Sequence, residues 1–259
     1  MTARPKDPVK FVKELQLSTP RSSINRGGGP TVNMKAHALE SGEDAKAESY
    51  LSNKSIVSFA SSVSGQNRQD ILSSTLLAQL AASKKHPGEE DLEGWFKDYQ
   101  NTLQNVGWVV QGSDFSKFSQ SGNVFEMQNV IIDLLSAALG GNVLTILTKT
   151  LEAFKKLSDT DSKIVAFEKN THTLTKGTFI IALCDGTNDA VAMKTGAFEL
   201  SSSNTITQIL FFTSSKEKTS LSYSTSDATF NKKAYDAVRN TIEQKLADKF
   251  NQYVAELDI

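Results

Sequence analysis

The sequence predicts an α+β protein: an antiparallel β-meander wrapped by amphipathic and apolar helices in a three-layer, α/β/α-like arrangement, with a flexible N-terminal arm. Hydrophobic residues make up 39% of the 259 residues and charged residues 22%, so the chain can bury a sizeable core. Apolar residues recur at helical spacing before Lys156 and at alternate positions after it, which predicts helices first and strands second. All five prolines precede residue 88, and this separates the amino-terminal third from the rest.

Residues 1–50 form the predicted flexible arm. Within it, residues 18–50 are rich in small polar residues and turn formers, and they bury too little apolar surface to offset the chain entropy lost on ordering. The run GGGP at 27–30 does not predict a phosphate loop, because that loop needs a strand before it, a helix after it and a Lys-Ser/Thr pair at the right offset. Residues 1–11 contain no apolar run, so we expect no secretory signal.

Residues 51–259 are predicted to form a single α+β domain, with its helices in 67–157. One amphipathic helix carries Leu72, Leu76 and Leu80, and the next carries Trp95 and Tyr99 on one face. An aromatic stripe of this kind is typical of a core, and a ligand platform is the alternative.

The most apolar stretch is 124–148, where Glu126 and Asp133 are the charged residues. It predicts two helices joined at Gly140-Gly141, each too short to cross a bilayer, since crossing takes about 20 residues. Such a hairpin either stays buried against a sheet or moves between protein and lipid, and periodicity does not separate the two. The candidate membrane-contacting residues are Val130, Leu134, Leu135, Leu139, Val143, Leu144, Leu147 and Leu151.

The antiparallel sheet is predicted within 163–225, with strands at 163–167, 178–184, 190–200, 207–213 and 220–224. Short connections favour antiparallel pairing, because a parallel pair needs a crossover of a dozen residues or more. The last element is predicted as one amphipathic helix over 229–257. It either packs on the sheet or lies on a membrane surface, and its mixed charges favour packing.

Charge and composition exclude several functions. Twenty-eight Lys and Arg against 29 Asp and Glu give a net charge of −1, which argues against nucleic-acid binding through a basic face. Three histidines and one cysteine leave little material for a metal site, and we expect no cofactor. Nucleophile-elbow, zinc-protease and Walker motifs are absent, so we expect a protein that is not an enzyme. The alternative is a hydrolase that uses Cys184 or a carboxylate pair, although a cysteine ending an apolar strand is typically a small buried hydrophobe.

Within about 122–225, an apolar helical hairpin leads into strands that include the segments AVAM at 190–193, GAFE at 196–199 and QILFFT at 208–213. This order of elements resembles the Cyt-type cytolytic delta-endotoxins and the related Erwinia virulence factor Evf. The resemblance implies a central sheet wrapped by helical layers, in a soluble protein that binds membranes and forms pores or lytic aggregates without enzymatic chemistry. Because Evf carries a lipid on a cysteine, the resemblance also makes Cys184 a candidate for lipidation.

We therefore expect a non-enzymatic, membrane-interacting virulence or insecticidal protein, cytolytic and pore-forming-like, whose apolar hairpin 122–157 leaves the sheet to enter lipid. Its expected partners are a lipid membrane and further copies of itself, with no nucleic acid. We expect a soluble protein that is cytoplasmic in the producing cell or released by a non-classical route, and that acts at a target membrane. The alternative is a non-enzymatic self-assembling structural or interaction protein that uses the N-terminal arm for contacts.

Overall fold

The computed structural model describes residues 7–19, 46–87, 91–112, 114–119, 123–137, 141–187, 190–257 and 259. A large twisted sheet forms the centre. Its strands are β1 (Glu48–Ser52), β2 (Ser55–Phe59), β3 (Trp108–Gly112), β4 (Ser116–Lys117), β6 (Lys176–Thr187), β7 (Ala190–Ser202), β9 (Thr219–Phe230) and β10 (Val254–Leu257). A second, two-stranded sheet pairs β5 (Val124–Glu126) with β8 (Thr213–Ser215).

The strand order in the large sheet is β10-β1-β2-β6-β7-β9-β3, and β4 also pairs with β9. Pairing is antiparallel throughout except between β2 and β6, which run parallel. The predicted range 163–225 therefore holds the centre of the sheet, but the sheet also recruits β1, β2, β3 and β10 from outside that range. A parallel pair between β2 and β6 is possible because more than a hundred intervening residues supply the crossover.

Nine helices lie in the described part of the chain. The sheet separates them into two layers, because alternate side chains of a strand point to opposite faces. On β6, Ile180, Ala182 and Cys184 join one buried cluster, whereas Phe179 and Leu183 join the other. The three-layer, mainly antiparallel α+β prediction is thus confirmed.

One layer comprises α1 (Pro8–Glu14), α2 (Gly65–Lys85), α3 (Leu92–Asn105) and three short helices, α7 (Lys232–Asp236), α8 (Arg239–Leu246) and α9 (Phe250–Tyr253). An ion pair fixes α8 against α2: the guanidinium of Arg239 donates from Nε and Nη2 to the two carboxylate oxygens of Asp70, at 2.8 and 2.6 Å. Asp70 is 1% exposed, so this carboxylate depends on Arg239 for its charge balance.

The opposite layer comprises α4 (Met127–Ser136), α5 (Gly141–Lys156) and α6 (Ser162–Thr171). The prediction of a strand at 163–167 is wrong, because these residues form the first turns of α6. Asp161 caps this helix by accepting a hydrogen bond from the Lys163 amide at 2.8 Å. Ile164, Phe167 and Thr171, spaced for one helical face, are buried, and Val165 is exposed between them.

The prediction of a strand at 207–213 is also wrong: residues 203–212 form a loop, and only Thr213 belongs to a strand. Its apolar side chains, Ile206, Ile209, Leu210 and Phe212, are nevertheless buried in the core. The carboxylate of Glu168 accepts a hydrogen bond from the Ile209 amide at 3.0 Å. The backbone amide of Ile209 is therefore paired with a side chain instead of with a neighbouring strand.

The prediction of one helix over 229–257 is wrong as well. β9 runs to Phe230, α7, α8 and α9 follow in turn, and residues 254–257 form β10 at the edge of the sheet. The predicted apolar stripe is buried as expected, since Tyr235, Val238 and Ile242 are fully inaccessible. Residues 254–257 form a strand instead of a helix because the edge of β1 supplies backbone partners for β10.

Two further corrections concern the arm and the helical region. Residues 8–14 form α1, with Val12 fully buried, and residues 48–50 begin β1, so these parts of 1–50 do not belong to a flexible arm. Residues 1–6 and 20–45 lie outside the described residues, and the arm prediction for them stays a prediction. The predicted helical region 67–157 contains helices α2 to α5 but also the strands β3, β4 and β5.

Candidate functional site

The apolar hairpin is formed by α4 and α5, which lie side by side over one face of the sheet. The buried side chains follow helical spacing: Val130, Ile131 and Leu135 in α4, and Leu147, Leu151 and Phe154 in α5. The opposite sides of both helices are polar, with Asn129, Asp133, Lys149 and Glu152 exposed. The hairpin is therefore amphipathic, with its apolar side toward the sheet.

The structure places the predicted membrane-contacting residues mainly inside the protein. Val130, Leu135, Leu147 and Leu151 are at most 1% exposed. Leu134 and Leu144 are half-buried at the margin of the same cluster. Leu139 and the side chain of Val143 lie outside the described residues. In this conformation the hairpin offers lipid a polar surface, so contact with lipid through these residues requires the hairpin to leave the sheet.

A buried cluster of three hydroxyl groups joins α5 to the sheet, and we call it the hydroxyl triad: Ser49, Ser58 and Thr150. Ser49 and Ser58 are directly opposite each other on β1 and β2, and the Ser49 hydroxyl donates to that of Ser58 at 2.8 Å. The Thr150 hydroxyl oxygen lies 2.7 Å from that of Ser49 and 3.2 Å from that of Ser58. All three residues are at most 1% exposed, so this polar contact lies within an otherwise apolar interface.

The protons of the hydroxyl triad can be counted. The Thr150 hydroxyl also donates to the carbonyl oxygen of Ile146, one turn earlier in α5, at 2.8 Å. Toward the sheet it can therefore only accept. The Ser49 hydroxyl has one proton for its two contacts, with Ser58 at 2.8 Å and Thr150 at 2.7 Å, and the Ser58 hydroxyl directs its own proton to Thr150. Sequence reasoning missed this cluster; its signal is a threonine on the inward stripe of α5, between Leu147 and Leu151.

The hairpin is held at both ends by the loop 203–212. At the start of α4, the Met127 amide donates to the carbonyl oxygen of Phe212 at 2.9 Å. Near the end of α5, the ring of Phe154 lies 6.0 Å from that of Phe211. Within the predicted range 122–157, β5 pairs with β8 in the small sheet directly before α4, whereas α4 and α5 contribute no strand to the large sheet. Displacing α4 and α5 would thus break side-chain packing and a few hydrogen bonds, while the strand ladders of the large sheet stay intact.

Cys184, the candidate for lipidation, lies in β6 on the face that is covered by α2 and α3, opposite the hairpin. Its thiol is 1% exposed, and burial raises the pKa of the thiol far above its ordinary value. Because the thiolate is the nucleophile, a buried and protonated thiol is unreactive in this conformation. Acylation would require an acyl donor to reach the thiol between β6 and the helices α2 and α3 that cover it.

The described residues contain no group of three or more His, Cys, Asp and Glu side chains placed to hold a metal ion. Within the same ranges, no helix is both long enough and apolar enough to cross a membrane.

No family model matches the sequence, and no curated protein matches it. Among solved structures, the Evf virulence factor matches at 15% identity over 85% of this chain and 87% of its own, with a TM-score of 0.36. A delta-endotoxin matches at 13% identity over 60% of this chain and 74% of its own, also with a TM-score of 0.36. The activated Cyt2Ba monomer from Bacillus thuringiensis subsp. israelensis matches at 12% identity over 60% and 93%, with a TM-score of 0.32. A virulence factor and delta-endotoxins are also the kinds of protein that the order of elements in the sequence resembles.

Proposed function

We propose that this chain is a toxin-like, membrane-active protein without enzymatic activity, and that its hairpin of α4 and α5 leaves the sheet and enters lipid. One observation carries the proposal: the apolar side of the hairpin covers the sheet without contributing a strand to it. The hairpin can therefore separate while the hydrogen-bonded sheet remains whole. A lipid membrane is the proposed partner.

The apolar side chains of the hairpin keep the cost of its own transfer low, while the sheet face that it uncovers, with Ile181, Leu183 and Phe198, has to be covered by lipid as well. Leucine and valine side chains that leave the sheet for acyl chains exchange one apolar environment for another. Polar groups in the helices need partners in lipid, and the threonine hydroxyls already have them. Thr148 donates to the carbonyl oxygen of Leu144 at 3.1 Å, and Thr150 donates to that of Ile146 at 2.8 Å. The Ser49 and Ser58 hydroxyls that stay behind on the sheet can bind water.

The length of the helices sets the depth of insertion. α5 has 16 residues and is about 24 Å long, which is less than the roughly 30 Å of a bilayer's hydrocarbon core. A single hairpin of this size is too short to cross the hydrocarbon core, so we propose that permeabilisation requires several copies. We therefore propose that the protein acts as a homo-oligomer on the membrane, so that the initial rate of dye release rises more steeply than in proportion to protein concentration.

A reversible disulfide lock tests the release of the hairpin. The Ser49 and Thr150 side-chain oxygens are 2.7 Å apart, which brings cysteines at these positions within disulfide-forming reach. We expect the oxidised double variant Ser49→Cys/Thr150→Cys to release no dye from liposomes, and dithiothreitol to restore release. The native Cys184 is buried on the other face of the sheet and does not compete for this pairing.

The matched control is a disulfide of similar geometry that leaves the hairpin free. Ser202 and Thr219 are directly opposite on β7 and β9, with their side-chain oxygens 3.5 Å apart. The oxidised variant Ser202→Cys/Thr219→Cys should release dye at the rate of its reduced form. Equal release by the oxidised and reduced Ser49/Thr150 variant would overturn the proposal, as would the failure of the unmodified protein to permeabilise liposomes of any composition.

A further inference from the structure

The loop 203–212 contacts the sheet and the hairpin through different residues. Toward the sheet, the Ile206 amide donates to the carbonyl oxygen of Leu174, in the turn before β6, at 2.8 Å. Toward the hairpin, the carbonyl oxygen of Phe212 accepts from the start of α4, and the ring of Phe211 lies against the end of α5. The contact that fixes the loop between these two parts therefore bears on how easily the hairpin separates.

A carboxylate of α6 fixes the loop at that point. The Ile209 amide donates to Oε2 of Glu168 at 3.0 Å, and Nε2 of His172 lies 2.8 Å from the same oxygen. The Glu168 side chain is 13% exposed, so the acceptor is largely shielded from water. A hydrogen bond to an ionised acceptor is about twice as strong as one between neutral groups. The loop is thus held at Ile209 by a strong bond to a single side chain.

The helix that carries this carboxylate is attached to the large sheet at both ends. At its start, Lys163 Nζ donates to the carbonyl oxygen of Glu256 in β10 at 2.8 Å. Directly after its end, His172 forms a β-bridge with Gly177 at the start of β6. Because β6 and β10 both belong to the large sheet, Glu168 stays in place when α4 and α5 are displaced. It therefore ties the loop to the stationary part of the protein.

The side chain of Ile209 fits over a glycine of β6. Ile209 is fully buried, and a Cβ atom added to Gly177 would lie 2.3 Å from its Cδ1 atom. A residue with a side chain at position 177 would have to displace Ile209, so the glycine provides the space that brings the Ile209 amide to Glu168. The loop is thus fixed at one residue both by a hydrogen bond and by shape.

We propose that the hydrogen bond between the Glu168 carboxylate and the Ile209 amide is a latch that sets how often the hairpin separates from the sheet. With the latch closed, Phe211 and Phe212 are held in place against both helices. With the latch open, residues 209–212 move together with the hairpin, and α4 and α5 separate without losing their contacts to the loop. This inference rests on the proposed release of the hairpin and adds the contact that restrains it.

Thiol labelling without lipid tests the latch on the full chain. In a Thr150→Cys background, the introduced thiol lies in the buried interface between α5 and the sheet, so its rate of reaction with iodoacetamide reports local opening of the hairpin. The native Cys184, buried on the opposite face of the sheet, reports opening of the other layer in the same molecule. Mass spectrometry of the labelled peptides separates the two thiols.

We expect Glu168→Ala to accelerate labelling at position 150 about tenfold and to leave the labelling of Cys184 unchanged, since one hydrogen bond to a charged group is lost. Glu168→Gln keeps an oxygen that accepts from the Ile209 amide, so it should accelerate labelling by a smaller factor. Gly177→Ala crowds Ile209 instead of removing its acceptor, and it should also accelerate labelling at position 150.

Asp161→Ala is the matched control, because it removes a carboxylate that accepts from a backbone amide, that of Lys163 at 2.8 Å, at the start of the same helix. It should label at position 150 like the Thr150→Cys protein. Thermal unfolding verifies that each variant is folded before labelling.

Two results would overturn the latch: unchanged labelling at position 150 in both Glu168→Ala and Gly177→Ala, or an equal acceleration at Cys184. Dye release from liposomes is measured separately on the same variants. Faster labelling at position 150 in a protein that permeabilises no liposome would support the latch and contradict the proposed membrane activity.

Discussion

Replacing Thr150 with valine tests the proton count of the hydroxyl triad. Thr150→Val keeps the shape and the β-branched character of the side chain, so helix propensity changes little. It removes the oxygen that accepts from the Ser49 and Ser58 hydroxyls, 2.7 and 3.2 Å away, and leaves one buried hydroxyl proton without an acceptor. A buried donor without an acceptor lowers the free energy of unfolding by about 1–3 kcal/mol, and the buried methyl group that replaces the hydroxyl raises it by about 0.8 kcal/mol.

We expect a net destabilisation of about 0.2–2 kcal/mol, which lowers Tm by at most about 8 °C in a chain of this size. Urea unfolding followed by far-UV circular dichroism measures the free energy, with an unchanged m-value showing that the unfolding transition stays the same.

Ser49→Ala is the informative comparison. Without the Ser49 hydroxyl, Ser58 still donates to Thr150, and Thr150 still donates to the carbonyl oxygen of Ile146. Every remaining proton keeps an acceptor, so Ser49→Ala should cost less than Thr150→Val. If Ser49→Ala proves as destabilising as Thr150→Val or more so, the assigned directions of these hydrogen bonds are wrong.

Three further outcomes are expected. Arg239→Met should destabilise the fold by about 3–5 kcal/mol in urea unfolding, because its carboxylate partner in α2 is 1% exposed and loses its neutralising charge; a change below 1 kcal/mol, about the value of a surface pair, would contradict this. Burial acts to raise the pKa of Asp98, but hydrogen bonds from Lys85 and His86 outweigh it and lower the pKa below 3.8. The stability that Asp98 adds is thus present above pH 3.8 and is lost as the pH falls through the folded-state pKa. The free energy of unfolding that Asp98→Asn loses relative to the unmodified protein should therefore shrink on acidification. A loss that does not change with pH would argue against this ion pair. Cys184 should react with Ellman's reagent in denaturant and not in the native state; absence of a free thiol in denatured protein from the native source would instead indicate modification.

Strong periodic patterns predicted the elements around the candidate site. The apolar stripes of α4 and α5 gave two helices, and the alternation in β6 and β7 gave the central strands. The consecutive residues Ile180 and Ile181 of β6 are buried on opposite faces of the sheet, as expected for a sheet covered by helices on both sides. These predictions succeed because one local period determines both the element and its buried face.

The failures arise where long-range contacts override the local pattern. The run 207–212 is as apolar as a strand, yet its backbone partner is the side chain of Glu168. β1 and β2 are rich in serine, and the hydroxyl groups of Ser49, Ser55 and Ser58 are buried with hydrogen-bond partners, which for Ser55 are the Ser52 carbonyl oxygen and the Gln79 side-chain amide. No periodic signal marks a serine as buried, because its partner comes from a distant element such as α5. The two serines of the hydroxyl triad were unpredictable for that reason, whereas Thr150 stands out as a polar residue on the inward stripe of α5.

The place of β10 in the sheet has a consequence for the order of folding. β6 and β7 are consecutive and can pair as soon as they are formed, whereas Ser52 pairs with Val254, about 200 residues away. Contacts between such distant segments form late, because the chain entropy of closing a long loop is lost before the contacts are gained. A folding intermediate that contains the β6–β7–β9 core therefore exposes the edge of β6 until β2 and its neighbours arrive. An unpaired inner strand is a template for pairing with another chain, so refolding yield should fall as protein concentration rises.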